Sequence, residues 1–125
     1  MAQSTVLYIE DNPENRLLVK RVLEAEGYKI VEADSGTDGL TKAETMRPDL
    51  ILMDINLPEM DGYELTRRLK QIQHLNGVPV VAMTANVMKG DREKTLAAGC
   101  DGYIQKPIDV DLLPVQIAGF LQAKP

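Results

Sequence analysis

Five residues of this chain combine a reactive type with a telling position. Glu10 and Asp11 stand side by side in "YIEDN", Asp54 closes the apolar run "LILMD", Thr84 follows "VVAM", and Lys106 stands in "YIQKP". A carboxylate at the end of an apolar run is costly to bury without partners. Three carboxylates brought together repel one another, and at least one is driven to protonate unless a cation intervenes. A hard divalent ion resolves that conflict. Mg²⁺ takes oxygen ligands, keeps several waters, and is held by one or two carboxylates together with phosphate oxygens. A threonine hydroxyl can donate a hydrogen bond and a lysine supplies a point charge, and both suit a phosphoryl group. Taken together, the set makes a phosphoryl-transfer site in which Asp54 is the attacking carboxylate and becomes an aspartyl phosphate.

Each residue alone also has a plainer reading. Asp54 reads as a cap for the loop that follows it, Thr84 as a turn residue, and Lys106 as surface charge. Glu10 and Asp11 read as acids favouring a helix N-terminus. Only convergence on one edge of a sheet separates the two readings, so the elements that position these residues matter.

Those elements alternate regularly. "TVLYIE" (5–10) is a short apolar strand, and Asn12-Pro13 offers an N-cap followed by proline at the first helical position. Over 14–26, Leu18, Val22 and Ala25 have helical spacing, and Gly27 is a C-terminal stop. "YKIVEA" (28–33) alternates like a strand, and Ser35 with Asp38 three residues on approximates a capping box for the next helix. Pro48-Asp49 ends that helix before the strand "LILM". "PEMDG" (58–62) is a loop, followed by a helix to about residue 72. "VPVVAM" (78–83) is the fourth strand, a helix spans about 89–98 up to Gly99, "GYIQ" (102–105) is the fifth strand, and 109–122 is the last helix, with Pro114 bearing on where it begins.

The pattern is (βα)₅. Helix-length crossovers imply a parallel sheet covered on both faces, and the unbroken apolar runs at 50–53 and 78–83 fit central strands. In such α/β folds function sits beyond the carboxyl ends of the strands. Strand one delivers Glu10 and Asp11 there, strand three Asp54, strand four Thr84 and strand five Lys106. Strand two ends in Ala33-Asp34, which is not placed in the site.

Composition narrows the classes. A chain of 125 residues, 44% hydrophobic and 26% charged, suits one domain with one core, 1–125. A net charge of −5 supplies no basic field for nucleic acid or an anionic membrane surface. The charge is uneven: residues 1–64 hold 14 acids and 6 bases, whereas 65–125 hold 5 acids and 8 bases. That reads either as surface decoration or as acids gathered at one site. Cys100 is the single cysteine, which excludes an internal disulfide, suits a reducing compartment and reads as a small buried residue. His74, the single histidine, lies in "QIQHLNG" and reads as a solvated turn residue. No Cys/His cluster favours zinc. No signal peptide, membrane-spanning run or repeat is visible, so a cytoplasmic protein is expected.

"YIEDN", "LILMDINLPEMDGYEL", "VPVVAMTAN" and "AAGCDGYIQKPI" resemble the receiver domain of bacterial two-component response regulators, the CheY-like family, in order and spacing over nearly the whole chain. The resemblance implies a flavodoxin-like parallel sheet of order 2-1-3-4-5. It implies that Asp54 accepts a phosphoryl group from a histidine kinase or a phosphotransfer protein, with Mg²⁺. Asp11 matches a direct metal ligand, Glu10 an acid acting largely through water, and the Asn56 backbone carbonyl the third protein ligand. Glu10 stands where many members carry Asp, and its longer side chain still reaches a metal-bound water. Thr84 and Lys106 match the phosphoryl-stabilising hydroxyl and lysine, Tyr103 the switch aromatic, and Lys106-Pro107 a peptide bond that is usually cis in the family. Asn56 and Asn86 flank the site where they could steer an attacking water. A phosphorylated receiver changes its partner-binding surface for a downstream protein and then slowly dephosphorylates itself, so it is not a turnover enzyme.

The chain ends about one helix beyond "KPI" with no DNA-binding output domain. It therefore looks like a stand-alone regulator of the DivK type, or a receiver excised from a hybrid kinase. Two other classes fit less well. A flavodoxin-like nucleotide or flavin binder needs a phosphate loop after strand one, and "EDNPEN" is acidic and lacks glycine. A haloacid-dehalogenase-type phosphatase carries its nucleophile at the end of the first strand, with a second Asp two residues on. Here Asp54 ends the third strand, and Asn56 holds that spacing.

Overall fold

The computed structural model describes residues 3–85 and 89–122. Its elements run β1 (Thr5–Ile9), α1 (Pro13–Ala25), β2 (Lys29–Ala33), α2 (Gly36–Thr45), β3 (Leu50–Asp54), α3 (Gly62–Gln71), a short 3₁₀ turn (Gln73–Leu75), β4 (Val80–Thr84), α4 (Lys89–Ala97), β5 (Gly102–Gln105) and α5 (Leu113–Gln122). The strands are parallel and lie in the order β2-β1-β3-β4-β5, with Ile9 beside Met53, Asp54 beside Met83, and Thr84 beside Gln105. The alternation implies the parallel sheet, and the strand order is the flavodoxin-like one that the family resemblance implies.

The pleat explains why the central strands read as unbroken apolar runs. Leu7, Ile9, Ile51, Met53, Val80 and Ala82 point to one face, where Ala43 of α2 and Leu65 and Leu69 of α3 cover them. Val6, Tyr8, Leu50, Leu52, Val81 and Met83 point to the other, against Val19 and Leu23 of α1 and Leu113 and Ile117 of α5. Alternate residues thus serve two cores, and neither face is left to solvent.

Helix boundaries follow local chemistry. The Asn12 side chain accepts from the Glu14 and Asn15 amides, Pro13 opens α1 where a missing N–H costs nothing, and Gly27 takes φ 93° just past its end. The Ser35 hydroxyl accepts from the Asp38 amide at 3.0 Å, while the Asp38 carboxylate turns to the Asp34 amide at 3.2 Å instead of closing a reciprocal box.

Two expectations need correction. The stripe Leu18, Val22, Ala25 is out of phase with the buried face of α1. Val19 and Leu23 are buried, whereas Leu18 is 39% exposed and Ala25 lies at the surface. Consecutive apolar residues at 17–19 and 22–23 allow several stripes, and packing on Val6 and Tyr8 selects one. The last helix begins at Leu113, not at 109. A helix through 109–113 would place Pro114 in its interior, without an N–H and against a preceding carbonyl. Instead Asp109 Oδ1 accepts from the Asp111 and Leu112 amides at 3.0 and 3.1 Å, and Pro114 falls in the first turn. His74 is exposed in the 3₁₀ turn, as expected, and its ring also reaches the end of α2. Its Nε2 lies 2.7 Å from the Ala43 carbonyl and 3.2 Å from that of Met46, so this nitrogen carries a proton and donates to the end of α2. Arg47 reciprocates by donating to the His74 and Asn76 carbonyls, each at 3.0 Å.

The phase of α1 is open to direct measurement. Leu23→Ala removes a fully buried side chain and should cost about 2–5 kcal/mol in urea unfolding. Leu18→Ala should change stability by less than about 1 kcal/mol. Equal losses in the two variants would refute the assigned face.

Candidate phosphoacceptor site

The carboxyl edge of the sheet is built by strands that stop abruptly. The Glu10 amide still pairs with the Ala33 carbonyl at 3.0 Å, extending β1 by one residue, and Asn12 then starts α1. Glu10 and Asp11 are therefore held in the bend between strand and helix. Asp54 is the last residue of β3, and the Ile55 amide beyond it bonds the Met83 carbonyl at 3.0 Å. Thr84 ends β4 and is buried, and its carbonyl accepts from the Lys106 amide at 2.8 Å. That bond brings Lys106 to the same edge. The Lys106–Pro107 peptide bond is cis.

One ammonium holds two carboxylates. Lys106 Nζ lies 3.0 Å from Asp54 Oδ2 and 3.3 Å from Glu10 Oε1. Asp54 Oδ1 accepts from the Asn56 amide at 3.0 Å. Glu10 is fully buried. Its Oε1 also receives the Tyr8 hydroxyl and Asn15 Nδ2, both at 3.3 Å, and its Oε2 lies 3.4 Å from the Asn12 amide. Carboxylate oxygens of Glu10, Asp11 and Asp54 approach within 4.8 Å of one another.

The protonation balance follows from this geometry. Burial pushes the Glu10 carboxyl upward, to about 7, and neighbouring Asp54 adds to the rise while Lys106 opposes it. Burial would raise Asp54 too, but the Glu10 side chain, the Asn56 amide and Lys106 together hold it below the usual carboxylate range. Burial would lower Lys106, yet the two carboxylates raise it, so it stays charged. Tyr8 is held protonated by its burial and by Glu10. One buried ammonium against two buried carboxylates, with Asp11 beside them, leaves an excess of negative charge and oxygen donors only. The donor set fits a hard divalent cation and offers nothing to a soft one.

Of the residues singled out by sequence, Glu10, Asp11, Asp54 and Lys106 converge at this edge, and Thr84 flanks it at the end of β4. Asn56 joins through its amide. Tyr103 lies lower, beside Ala82 on β5, half-buried and packed on the core face shared with α2 and α3. Asn86 lies outside the described residues. Sequence reasoning missed Tyr8, Asn15 and Arg16. Arg16 Nη1 donates to the carbonyls of Glu10 and Asp11, at 2.7 and 3.0 Å. The signal for Asn15 and Arg16 was present: an N-cap at Asn12 fixes the helix phase and turns the first-turn side chains back over residues 10–12.

Comparison with known proteins agrees with this geometry. Residues 6–118 match the response regulator receiver domain. The polar-differentiation response regulator DivK of Brucella ovis is 44% identical over 117 residues, covering 94% of this chain and 95% of that protein. The chemotaxis response regulator CheY4 of Vibrio cholerae superposes with a TM-score of 0.91 at 25% identity, covering 95% of this chain and 99% of that one. The receiver domain of a sensor histidine kinase from Pseudomonas aeruginosa PAO1, solved with a magnesium ion coordinated in its active-site cleft, gives a TM-score of 0.88 at 36% identity over 97% of this chain and 99% of that one. Among the described residues, no helix is long and apolar enough to cross a membrane.

The charge excess should appear as a pH dependence of metal-free stability. Between the ordinary carboxylate range and about pH 7, the folded state holds a proton on Glu10 that the unfolded chain releases. Stability contributed by that proton is complete at the acid end and is lost as pH rises through 7, with a slope of at most about 1.4 kcal/mol per pH unit. Asp54, shifted the opposite way, loses its contribution only below the usual carboxylate range. Urea melts at pH 5 to 8 without divalent ions should show the decline, and Glu10→Gln should flatten it. An unchanged slope in that variant would assign the titration elsewhere.

Proposed function

The chain belongs to the response regulator receiver domain family of two-component systems, and on that premise we propose that it is a phosphorylation-dependent signalling switch whose acceptor is Asp54. The observation that carries this reading is the dressing of one carboxylate at the sheet edge. Asn56 donates to one oxygen of Asp54, Lys106 to the other, and two further acids lie beside it. Hydrogen bonds and the ammonium keep Asp54 ionised, and an ionised carboxylate is the nucleophilic form.

The donor is a phosphohistidine on a histidine kinase or a phosphotransfer protein. An Asp54 oxygen forms the new bond to phosphorus as the phosphorus–nitrogen bond breaks, and the electron pair leaves on the imidazole nitrogen, which then takes a proton. Asp11, Asp54, the Asn56 carbonyl and, through water, Glu10 would hold Mg²⁺, which supplies neutralisation of the phosphoryl oxygens. Lys106 shifts from the carboxylate to a phosphoryl oxygen, and Thr84 donates its hydroxyl to another. Slow hydrolysis of the acyl phosphate returns the free carboxylate, so the protein is a stoichiometric acceptor that catalyses its own transfer and dephosphorylation.

Signal output follows from strand register. Thr84 and Ala82 share one face of β4, and Tyr103 stands beside Ala82 on β5. A Thr84 side chain drawn toward the phosphoryl group opens space on that face, and the half-buried Tyr103 ring moves into it. The surface of α4, β5 and α5 then changes for a downstream protein partner. This is a population shift limited by how differently the two states bind the phosphoryl group.

Acetyl phosphate with Mg²⁺ should add one phosphoryl mass to the wild type and none to Asp54→Asn, and a chelator should stop the reaction. Phosphate mapped to Thr84 or to a serine would overturn the acceptor assignment. Beryllofluoride with Mg²⁺ imitates the phosphoryl group, and ring-labelled tyrosine NMR should then show the Tyr103 resonance displaced. Shifts at the Thr84 amide with a static Tyr103 would reject this route of output.

A further inference from the structure

The loop that follows Asp54 is fastened at a point that the phosphoacceptor chemistry does not itself require. At its base, the Gly62 amide donates to the Ile55 carbonyl at 3.2 Å, and Ile55 and Leu57 are buried in the core. At its tip, Glu59 reaches across to α2. Its Oε1 accepts from the Gly36 amide at 2.5 Å and its Oε2 from the Thr37 hydroxyl at 3.2 Å. Gly36 is the first residue of α2, whose Ser35 cap serves the Asp38 amide. Glu59 therefore supplies the second half of that helix cap from 23 residues away, and its charge favours the same helix end.

The approach is close enough to specify its partner. A Cβ on Gly36 would stand 2.9 Å from Glu59 Oε1 and 3.2 Å from Met60 Cβ, so a larger residue there would push the Glu59 carboxylate off the Gly36 amide. Ile55 and Leu57 anchor the base of the loop in the core, and the Glu59 carboxylate anchors its tip on α2. Asn56 stands between base and tip and is already bonded through its amide to Asp54.

We propose that Glu59 is a positioning residue of the phosphoacceptor site: it tethers the loop behind Asp54 to the first turn of α2 and so fixes the Asn56 backbone for divalent-cation binding. The inference rests on the metal reading above and adds to it a residue that touches neither the cation nor the phosphoryl group. With the tether cut, Asn56 samples more positions, and ordering it again on binding weakens the cation. Groups that orient metal ligands in this way are worth about tenfold or more in affinity.

Calorimetric titration of Mg²⁺, paired with thermal unfolding of the metal-free protein, tests it. Glu59→Ala should weaken binding about tenfold. Gly36→Ala, which strikes the contact from the other side, should weaken it in the same direction, and Glu59→Gln, which keeps an acceptor for the Gly36 amide, should restore part of the affinity. Ser35→Ala is the control: it removes the neighbouring cap of the same helix, so it should lower the melting midpoint and leave Mg²⁺ affinity unchanged. Wild-type affinity in Glu59→Ala would overturn the tether, as would an equal loss in Ser35→Ala, which would make Glu59 only a helix cap. Asp11→Asn separates the two levels of inference. If the wild type binds and Asp11→Asn does not, the metal reading stands, and a normal Glu59→Ala overturns the tether alone. If the wild type itself gives no Mg²⁺ heat, the metal reading falls and the tether falls with it.

Discussion

Like charges crowded at one sheet edge set the terms for the rest of this molecule. Asp54 and Glu10 are both buried and share a single ammonium, that of Lys106, with Asp11 at the rim. Such a cluster is intrinsically unfavourable, since desolvation and mutual repulsion both act against ionisation. It persists because donors are fixed around it before any ligand arrives: the Asn56 amide on Asp54, and Tyr8, Asn15 and Lys106 on Glu10. The excess of negative charge that remains, carried on oxygen donors, suits a hard divalent cation.

Holding acids at that edge demands a rigid frame, and the two-sided core provides one. Alternate residues of β1, β3 and β4 feed opposite cores, so a strand cannot slip by one residue without exchanging both sets of contacts. The register that pairs Asp54 with Met83 and Thr84 with Gln105 is fixed by burial far from the chemistry. The first turn of α1 then completes the support: Asn12 caps the helix, Asn15 holds the Glu10 carboxylate, and Arg16 holds the backbone of the acidic pair. Every polar side chain named in that turn is spent on residues 10–15.

Backbone proximity imposes a second constraint, on glycine. A Cβ at Gly62 would meet the Ile55 Cα and carbonyl oxygen, both at 2.7 Å, so the loop behind Asp54 closes tightly only because that position has no side chain. At Gly36, where the loop tip meets α2, a Cβ would meet side-chain atoms instead, Glu59 Oε1 at 2.9 Å and Met60 Cβ at 3.2 Å. Neither glycine needs an unusual φ, and the positive-φ residues among those described are Gly27, Gly77 and Gly99, outside this loop. What these two positions require is space, and the space is defined by a neighbour distant in sequence.

The amino-acid sequence by itself determined the element order, the parallel α/β class and the edge at which Glu10, Asp11, Asp54, Thr84 and Lys106 appear. These are local properties: apolar runs, Asn-Pro and Gly punctuation, and polar residues at the ends of strands. The tertiary structure decided which of several overlapping stripes α1 buries, where α5 begins, and that His74 caps α2. It also brought Tyr8, Asn15 and Arg16 to the acidic pair, and Glu59 to α2. The physical reason is the range of the interactions. Secondary structure is written in periodicity over a few residues, whereas a helix phase between two apolar stripes, or a carboxylate seated on an amide 23 residues away, is settled only when distant surfaces meet and compete for the same space.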